Sequence, residues 1–442
     1  MSEVVIESGP AIVIEGQKGD KGDQGPKGDQ GPKGERGAAG GSIVGQVSYF
    51  AQHPGSDYLS CDGSQIDETA YPELIESGLH AFGYSYALDS VSVLSDTIAP
   101  VDVGNQNSMC ELDDCWVSVG NNSRAVLFYS EDGVMKSSHI TGLPDYSSQY
   151  CFVKGPCCSS NYDILIYRYT YSGSEAVKIS KFQKIKDFAN PEITLYDTVT
   201  IDDISPAFAT TLIKAEWYKD YLVILVSDSS RSRFYVTTDL FHFRYASTIS
   251  GYGMNLRKVG DYLLTWGDGF VRVAQDADDV FSGFGTYFSG LTPPNYTLYC
   301  YSYADIKDDV LAVVGLSNGL DLVDIKTRAA IANNVKGTMS GNQRSLVAVE
   351  DKFLVLDQGI IYQTQDGSSL TQLFDLTTIK AEYGSMNYSH AVYNAEKSEL
   401  IVWYYNIERA VLLYVQKTVT GALKLTPKMP DVGNAKPYIR AK

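Results

Sequence analysis

Long apolar runs are scarce in this chain. Stretches such as 221–226 and 400–405 stop at six residues, far short of the ~20 that cross a bilayer as a helix, so membrane insertion is not expected. Tryptophan is sparse as well, with 4 residues against 32 tyrosines. Basic residues are outnumbered, 36 Lys and Arg facing 53 Asp and Glu, for a net charge of −17. A phosphate-binding surface needs a basic footprint, and no basic run interrupts this acidity, so no nucleic-acid partner is expected. The opening residues MSEVVIESGP carry acids where an export signal needs a basic region, which points to synthesis in a cytosol and no conventional export.

Metal-ligand spacings are missing too. The seven cysteines (Cys61, Cys110, Cys115, Cys151, Cys157, Cys158, Cys300) form an odd set without a CxxC pair. In a reducing compartment they read as free, half-buried thiols. The five histidines (His53, His80, His139, His242, His390) are isolated from one another. No nucleophile elbow, phosphate loop or dinucleotide fingerprint occurs. A glycosidase needs two carboxylates across a scissile bond, yet the adjacent acids Asp113–Asp114, Asp202–Asp203, Asp278–Asp279 and Asp308–Asp309 read as solvated turns. A sialidase-type centre would need arginines drawn together, and Arg124, Arg168, Arg257, Arg272 and Arg344 are the available ones. The sequence is therefore read as a non-enzyme with no cofactor and no metal.

Glycine at every third place is the strongest signal present. Gly16, Gly19, Gly22, Gly25, Gly28, Gly31, Gly34, Gly37 and Gly40 form an unbroken series. Three polyproline-II strands wind together only when the residue at the axis has no side chain, so this period specifies a homotrimer. Pro26 and Pro32 stiffen the series, and Lys-Gly-Asp or Lys-Gly-Glu steps place opposite charges for pairing between strands. At about 3 Å per residue such a shaft spans on the order of 75 Å. Ahead of it, the β-branched pieces at 4–7 and 12–15 around Gly9–Pro10 suit strand addition to another protein's sheet.

After the shaft come Val44-Gly45-Gln46-Val47-Ser48-Tyr49-Phe50-Ala51, Pro54-Gly55, Tyr58-Leu59-Ser60-Cys61-Asp62-Gly63 and Tyr71-Pro72-Glu73-Leu74. This order predicts a strand, a turn, a second strand, an Asp62–Gly63 turn and a helix reaching about Phe82–Gly83. The same residues resemble the phage tail collar domain over about 40 positions, with Tyr58 in place of that family's usual Trp. The resemblance implies a structural module in which Cys61 and Asp62 build a turn.

From about Trp116 a theme of apolar strand, turn, second strand and small-x-Asp turn recurs. Its clearest copies end at Asp132, Asp239 and Asp366, and a weaker one ends at Asp276. Their separations fit units of roughly 40 to 45 residues with several strands each, which predicts a β-propeller of about seven blades. The turns resemble the Asp-box hairpins of sialidase-type propellers. The irregular stretch 145–206 keeps a β-sandwich or a mixed β-fold as the competing reading.

The expected protein is mainly β. Residues 1–15 anchor it to a virion tail or capsid protein, 16–42 form a collagen-like triple helix, 43–110 form a collar-like α+β module, and 111–442 form a propeller-like head. It would be a phage virion fibre made in the host cytoplasm, its tyrosine-rich head binding a host cell-surface glycan or protein through residues the sequence does not name. The alternatives are a polysaccharide-degrading tailspike and a capsid-decorating fibre.

Overall fold

The computed structural model describes residues 44–98, 108–119, 124–145, 147–156, 160–171, 174–201, 212–228, 230–251, 253–267, 270–286, 303–314, 319–337, 339, 344–385, 389–404, 409–429, 432 and 435–442. The chain divides into two compact units, Met1–Ile43 and Val44–Lys442. The expected anchor at 1–15 and triple helix at 16–42 lie outside the described residues, as do Asp202–Asp203, Cys157, Cys158 and Cys300. Among the described residues no helix is long and apolar enough to cross a membrane.

A strand covered on both faces has no reason to alternate apolar and polar residues. The six-residue runs are strands of this kind. Tyr221–Ser227 and Glu399–Tyr404 are almost wholly buried, as are Tyr262–Gly267, Val310–Val314 and Lys352–Asp357. Each is the second strand of a four-stranded antiparallel sheet, and the described residues form seven such sheets.

The first sheet contains Ser108–Glu111, Cys115–Val119, Ala125–Glu131 and Val134–His139; the second, Ser147–Val153, Tyr162–Tyr171, Ser174–Gln183 and Leu195–Thr200. The third contains Leu212–Tyr218, Tyr221–Ser227, Arg231–Thr237 and Arg244–Ser250; the fourth, Gly253–Val259, Tyr262–Gly267, Phe270–Ala274 and Gly285–Thr286. The fifth and sixth run from Tyr303 to Val335 and from Arg344 to Asp375 in the same sequential order. The seventh differs. Ser389–Asn394, Glu399–Tyr404 and Arg409–Leu425 take their fourth strand, Ala81–Ile98, from the other end of this unit.

Buried side chains join each sheet to the next. Leu127, Ile164 and Ile224 share a core across sheets one to three. Phe234 and Leu263 join three to four, and Leu264 and Leu311 join four to five. Leu322 and Val355 join five to six, while Leu354 and Leu400 join six to seven. The consecutive residues Leu354 and Val355 thus serve different cores, one from each face of their strand. Phe128 and Trp403 share a core between the first sheet and the seventh.

Hairpin turns follow strand twist. Type I′ turns need positive φ at both central residues, which glycine and short polar residues tolerate best. Asp132–Gly133 has φ of 54° and 74°, and Gln358–Gly359 has 47° and 83°. The acid pair Asp308–Asp309 occupies another such turn at 47° and 62°.

Three expectations are revised. The stretch 145–206, read as irregular, contains the second sheet. The helix expected to reach Phe82–Gly83 is Pro72–Ser77, stopped by Gly78 at φ 70°, and Phe82 and Gly83 lie in the strand Ala81–Ile98. The span 43–110 is divided among three sheets. Val47–Phe50 and Tyr58–Ser60 do not pair with each other but flank Lys436–Arg440, Ala81–Ile98 completes the seventh sheet, and Ser108–Glu111 opens the first. Pairing partners more than 300 residues away leave no local trace. Ile66, Leu74 and Ile439 form the core of the small three-stranded sheet, together with Cys61.

Candidate functional site

The first strands of successive sheets are joined by side-chain links. The Cys110 and Cys151 thiols interact between sheets one and two, and an Ala215 main-chain N–H from sheet three reaches Cys151. Lys258 donates its main-chain N–H to the half-buried Glu216 carboxylate, joining sheets three and four. Arg257 donates to Asp305 Oδ2 at 3.0 Å, joining four and five. The Ala348 N–H donates to the same oxygen at 2.8 Å, joining five and six. Ala391 N–H donates to Ser345 Oγ at 3.1 Å, joining six and seven. Asp305 also accepts from Ile306 N–H at 2.9 Å, so its two oxygens meet three donors while its side chain is 1 % exposed. A carboxylate this occupied ties sheets together.

Glu216 is different, because burial pushes its carboxyl up to about 7, against the lowering by Lys258 and Arg257. A raised carboxyl means that the folded chain holds a proton the unfolded chain has released, from about pH 4.5 upward. Stability on this account is present below about pH 4.5 and is lost as pH rises to about 7, by on the order of 3 kcal/mol. Glu216→Gln, which keeps an acceptor for Lys258, is expected to flatten that window. Urea midpoints at pH 4.5 and 8 check this, and an unchanged pH dependence in the variant refutes it.

The arginines and acid pairs singled out by their residue type stand on several sheets. Arg168 pairs with Glu175 on the second sheet. Arg257 and Arg272 stand on the first and third strands of the fourth sheet, Arg344 opens the sixth, and Arg124 precedes a strand of the first. Arg124 and His139 line a shallow recess of about 470 Å³ with Thr141 and Leu143. Asp113 pairs with Lys184, and Asp114 lies 3.6 Å from Lys397. Asp279 closes a capping box with Asp276 at the start of the short helix Ala277–Ser282. Among the described residues no group of His, Cys, Asp and Glu is arranged to hold a metal.

The turn aspartates have defined partners. Against the opposing effect of burial, the His242 ring Nδ1 at 2.6 Å from Asp239 Oδ2, together with the N–H groups of His242 at 2.8 Å and Phe241 at 2.9 Å that donate to Oδ1, holds the Asp239 carboxyl far below the ordinary carboxylate range. Asp366 Oδ1 accepts from Ser368 N–H at 2.9 Å, and Thr364 Oγ1 from Gly367 N–H at 2.9 Å. Asp132, Asp239 and Asp366 all occupy the connection between third and fourth strands of their sheets. Asp62 accepts from Ser64 N–H at 2.9 Å and Thr426 Oγ1 at 3.3 Å, beside Gly63 at φ 84°. Cys61, Cys110, Cys115 and Cys151 are buried rather than half-buried, and burial raises the Cys61 thiol to about 11.

The tyrosine excess divides between two places. Tyr150, Tyr218, Tyr235, Tyr383 and Tyr404 are fully buried, so part of the signal belongs to the core. Among the exposed aromatics, one group joins the second sheet to the third. Lys181 Nζ lies 5.0 Å from the Tyr162 ring centroid and 5.1 Å from that of Phe241. Tyr196 stands opposite Lys181 in the sheet and is 37 % exposed, while Phe241 is 49 % exposed. Lys181 is also 3.2 Å from Asp197. On the other face of the second sheet Tyr169 and the exposed Tyr171 stack at 6.4 Å, with Lys178 Nζ 3.8 Å from the Tyr169 centroid. Flat aromatic faces beside a cation and a carboxylate suit a ligand with both C–H surfaces and hydroxyl groups. The pattern was not readable from sequence, because Lys181, Tyr196 and Phe241 meet only across two sheets.

No family model and no curated protein matches this chain. Solved structures similar to it include the computationally designed Ika8 protein, at 10 % identity and a TM-score of 0.41, over 75 % of this chain and 100 % of that one. Another is Raptor from Chaetomium thermophilum, at 10 % identity and a TM-score of 0.42, over 78 % of this chain; the match spans 30 % of Raptor.

Proposed function

We propose that this chain is a homotrimeric phage fibre whose head, within Val44–Lys442, contains a seven-bladed β-propeller presenting an aromatic surface to a host cell-surface glycan. The observation that carries the trimer and the fibre is the nine-glycine series from Gly16 to Gly40, since that period fits three chains about one axis. The propeller reading rests on seven four-stranded sheets that share cores in succession, with the first and the seventh also sharing one. An early strand completing the last sheet supports it further, because pairing the ends of the unit holds such a ring shut.

The collar resemblance at 43–83 favours the tail over the capsid as the place of attachment, through residues 1–15. Three heads on one shaft multiply weak contacts into avidity, and Tyr196, Phe241 and Lys181 are the residues assigned to the glycan. Two measurements test this. Sedimentation of the full chain is expected to give a trimer, and a monomer or dimer overturns the fibre. Binding to an array of bacterial surface polysaccharides is expected to fall about tenfold or more in Tyr196→Ala/Phe241→Ala, as for loss of two aromatic anchors. Equal binding by the variant removes the assigned surface.

A further inference from the structure

The strands Ala81–Ile98 and Arg409–Leu425 pair along nearly their whole length, but the rest of the seventh sheet covers only part of that ribbon. Glu399–Tyr404 pairs with residues 409–414 alone, so the portion near 81–88 and 417–425 extends beyond that strand, with Gln65 bridging Leu425 and Ile66 N–H donating to Lys424 O at its far end. Residues directly opposite one another share a face. One face therefore carries Phe82, Tyr84 and Tyr86 opposite Lys424, Ala422 and Val419. Phe82 is 71 % exposed, Tyr84 56 % and Val419 59 %, with Leu79 just before the strand at 53 %. Two lysines flank this strip, and both are paired: Lys424 with Glu68 at 3.2 Å, and Lys417, whose Nζ stands 4.4 Å from the Tyr86 ring centroid, with Glu350 at 3.1 Å. A contiguous apolar strip on a chain of net charge −17 marks a contact surface rather than a solvated one.

The length of chain ahead of the described unit says what covers it. The last repeat glycine, Gly40, precedes Val44 by four residues, a reach of at most about 14 Å of extended chain. Three chains gathered at Gly40 must bring three copies of the segment starting at Val44 together. That segment leads directly to the strip. Gly45 donates its N–H to Arg440 O at 2.8 Å and lies so close against Leu79 that a Cβ there would stand 2.4 Å from Leu79 Cδ1. His80 sits edge-on to Phe82 at 5.0 Å, and its two ring nitrogens are buried without a hydrogen-bond partner among the described residues.

We propose that the strip formed by Leu79, Phe82, Tyr84 and Val419 is covered by the other two copies of this chain, and so forms the trimer contact between heads. This rests on the trimer reading above. It adds that nine triplets do not hold the trimer alone, and that the heads meet through a defined apolar face.

The test is a dilution series of the full chain followed by sedimentation. Phe82→Glu/Tyr84→Glu is expected to dissociate at a protein concentration about tenfold or more higher than the unaltered chain, because burying carboxylates at an apolar contact is costly. Tyr171→Glu, which alters a comparably exposed aromatic on another sheet, is expected to dissociate like the unaltered chain. Val419→Lys, on the opposite strand, is expected to weaken the trimer as the double variant does, and near-UV circular dichroism is expected to be unchanged in all three. If the unaltered chain is trimeric and the double variant and Val419→Lys dissociate no earlier than Tyr171→Glu, the contact assignment is overturned and the fibre reading stands. If the unaltered chain is not a trimer, both fall.

Discussion

Trp403→Ala is expected to destabilise Val44–Lys442 by about 3–5 kcal/mol, the range for removing a large buried aromatic. Trp403 is fully buried and tilts against Phe128 with ring centroids 4.9 Å apart. Its neighbours Trp116, Met135, Ile401 and Leu412 come from the first and seventh sheets, so the cavity would open where those two sheets meet. Hydrogen bonds supplement this junction, from Met135 N–H to Ser95 Oγ at 3.0 Å and between Ser130 and the Glu399 carboxylate. Trp403→Phe keeps a ring against Phe128 and removes an indole N–H that has no partner among the described residues; its loss is expected to stay below about 1.5 kcal/mol. Equilibrium unfolding in urea separates the two. A loss in Trp403→Ala no greater than that in Trp403→Phe would mean that the junction between the first and last sheets contributes little.

Local signals and long-range ones were unequally legible. Runs such as Tyr221–Val226 could be read as strands because burial on both faces needs apolar residues at every position. The turns at Asp132, Asp239 and Asp366 were visible through their short polar residues and glycines. Ala81–Ile98 was not, since Ser and Gly interrupt it at 83, 85 and 90 and its partner lies at the other end of the unit. The second sheet was missed for a related reason. Its third and fourth strands, with Lys178, Ser180 and Lys181 beside Thr198 and Thr200, read as polar loop, although the apolar run Ile164–Tyr167 of its second strand was legible. Site residues follow the same division. Glycine periodicity is a one-dimensional pattern and survives in the sequence, whereas the link from Glu216 to Lys258 and the cluster around Lys181 exist only after distant strands are placed side by side.

Asp305 shows how much one such link carries, and Asp305→Ala is the second large effect expected, at about 3–5 kcal/mol. Removing this carboxylate leaves the Arg257 guanidinium without its buried partner, and strips the N–H groups of Ile306 and Ala348 of their acceptor. An uncompensated charge and orphaned donors cost far more than the intact pair contributes. Asp305→Asn retains one acceptor oxygen and is expected to lose less. The informative variant is the double replacement Asp305→Leu/Arg257→Met. It removes charge and donor together, and apolar replacements of buried ion pairs are often neutral. If the double variant recovers most of the stability lost in Asp305→Ala, that loss came chiefly from leaving the Arg257 charge without its partner. If the double variant is as unstable as the single one, the loss lies with the N–H groups of Ile306 and Ala348, which lack their acceptor in both variants, and the coupling measured across the full cycle gives the size of the Asp305–Arg257 pairing.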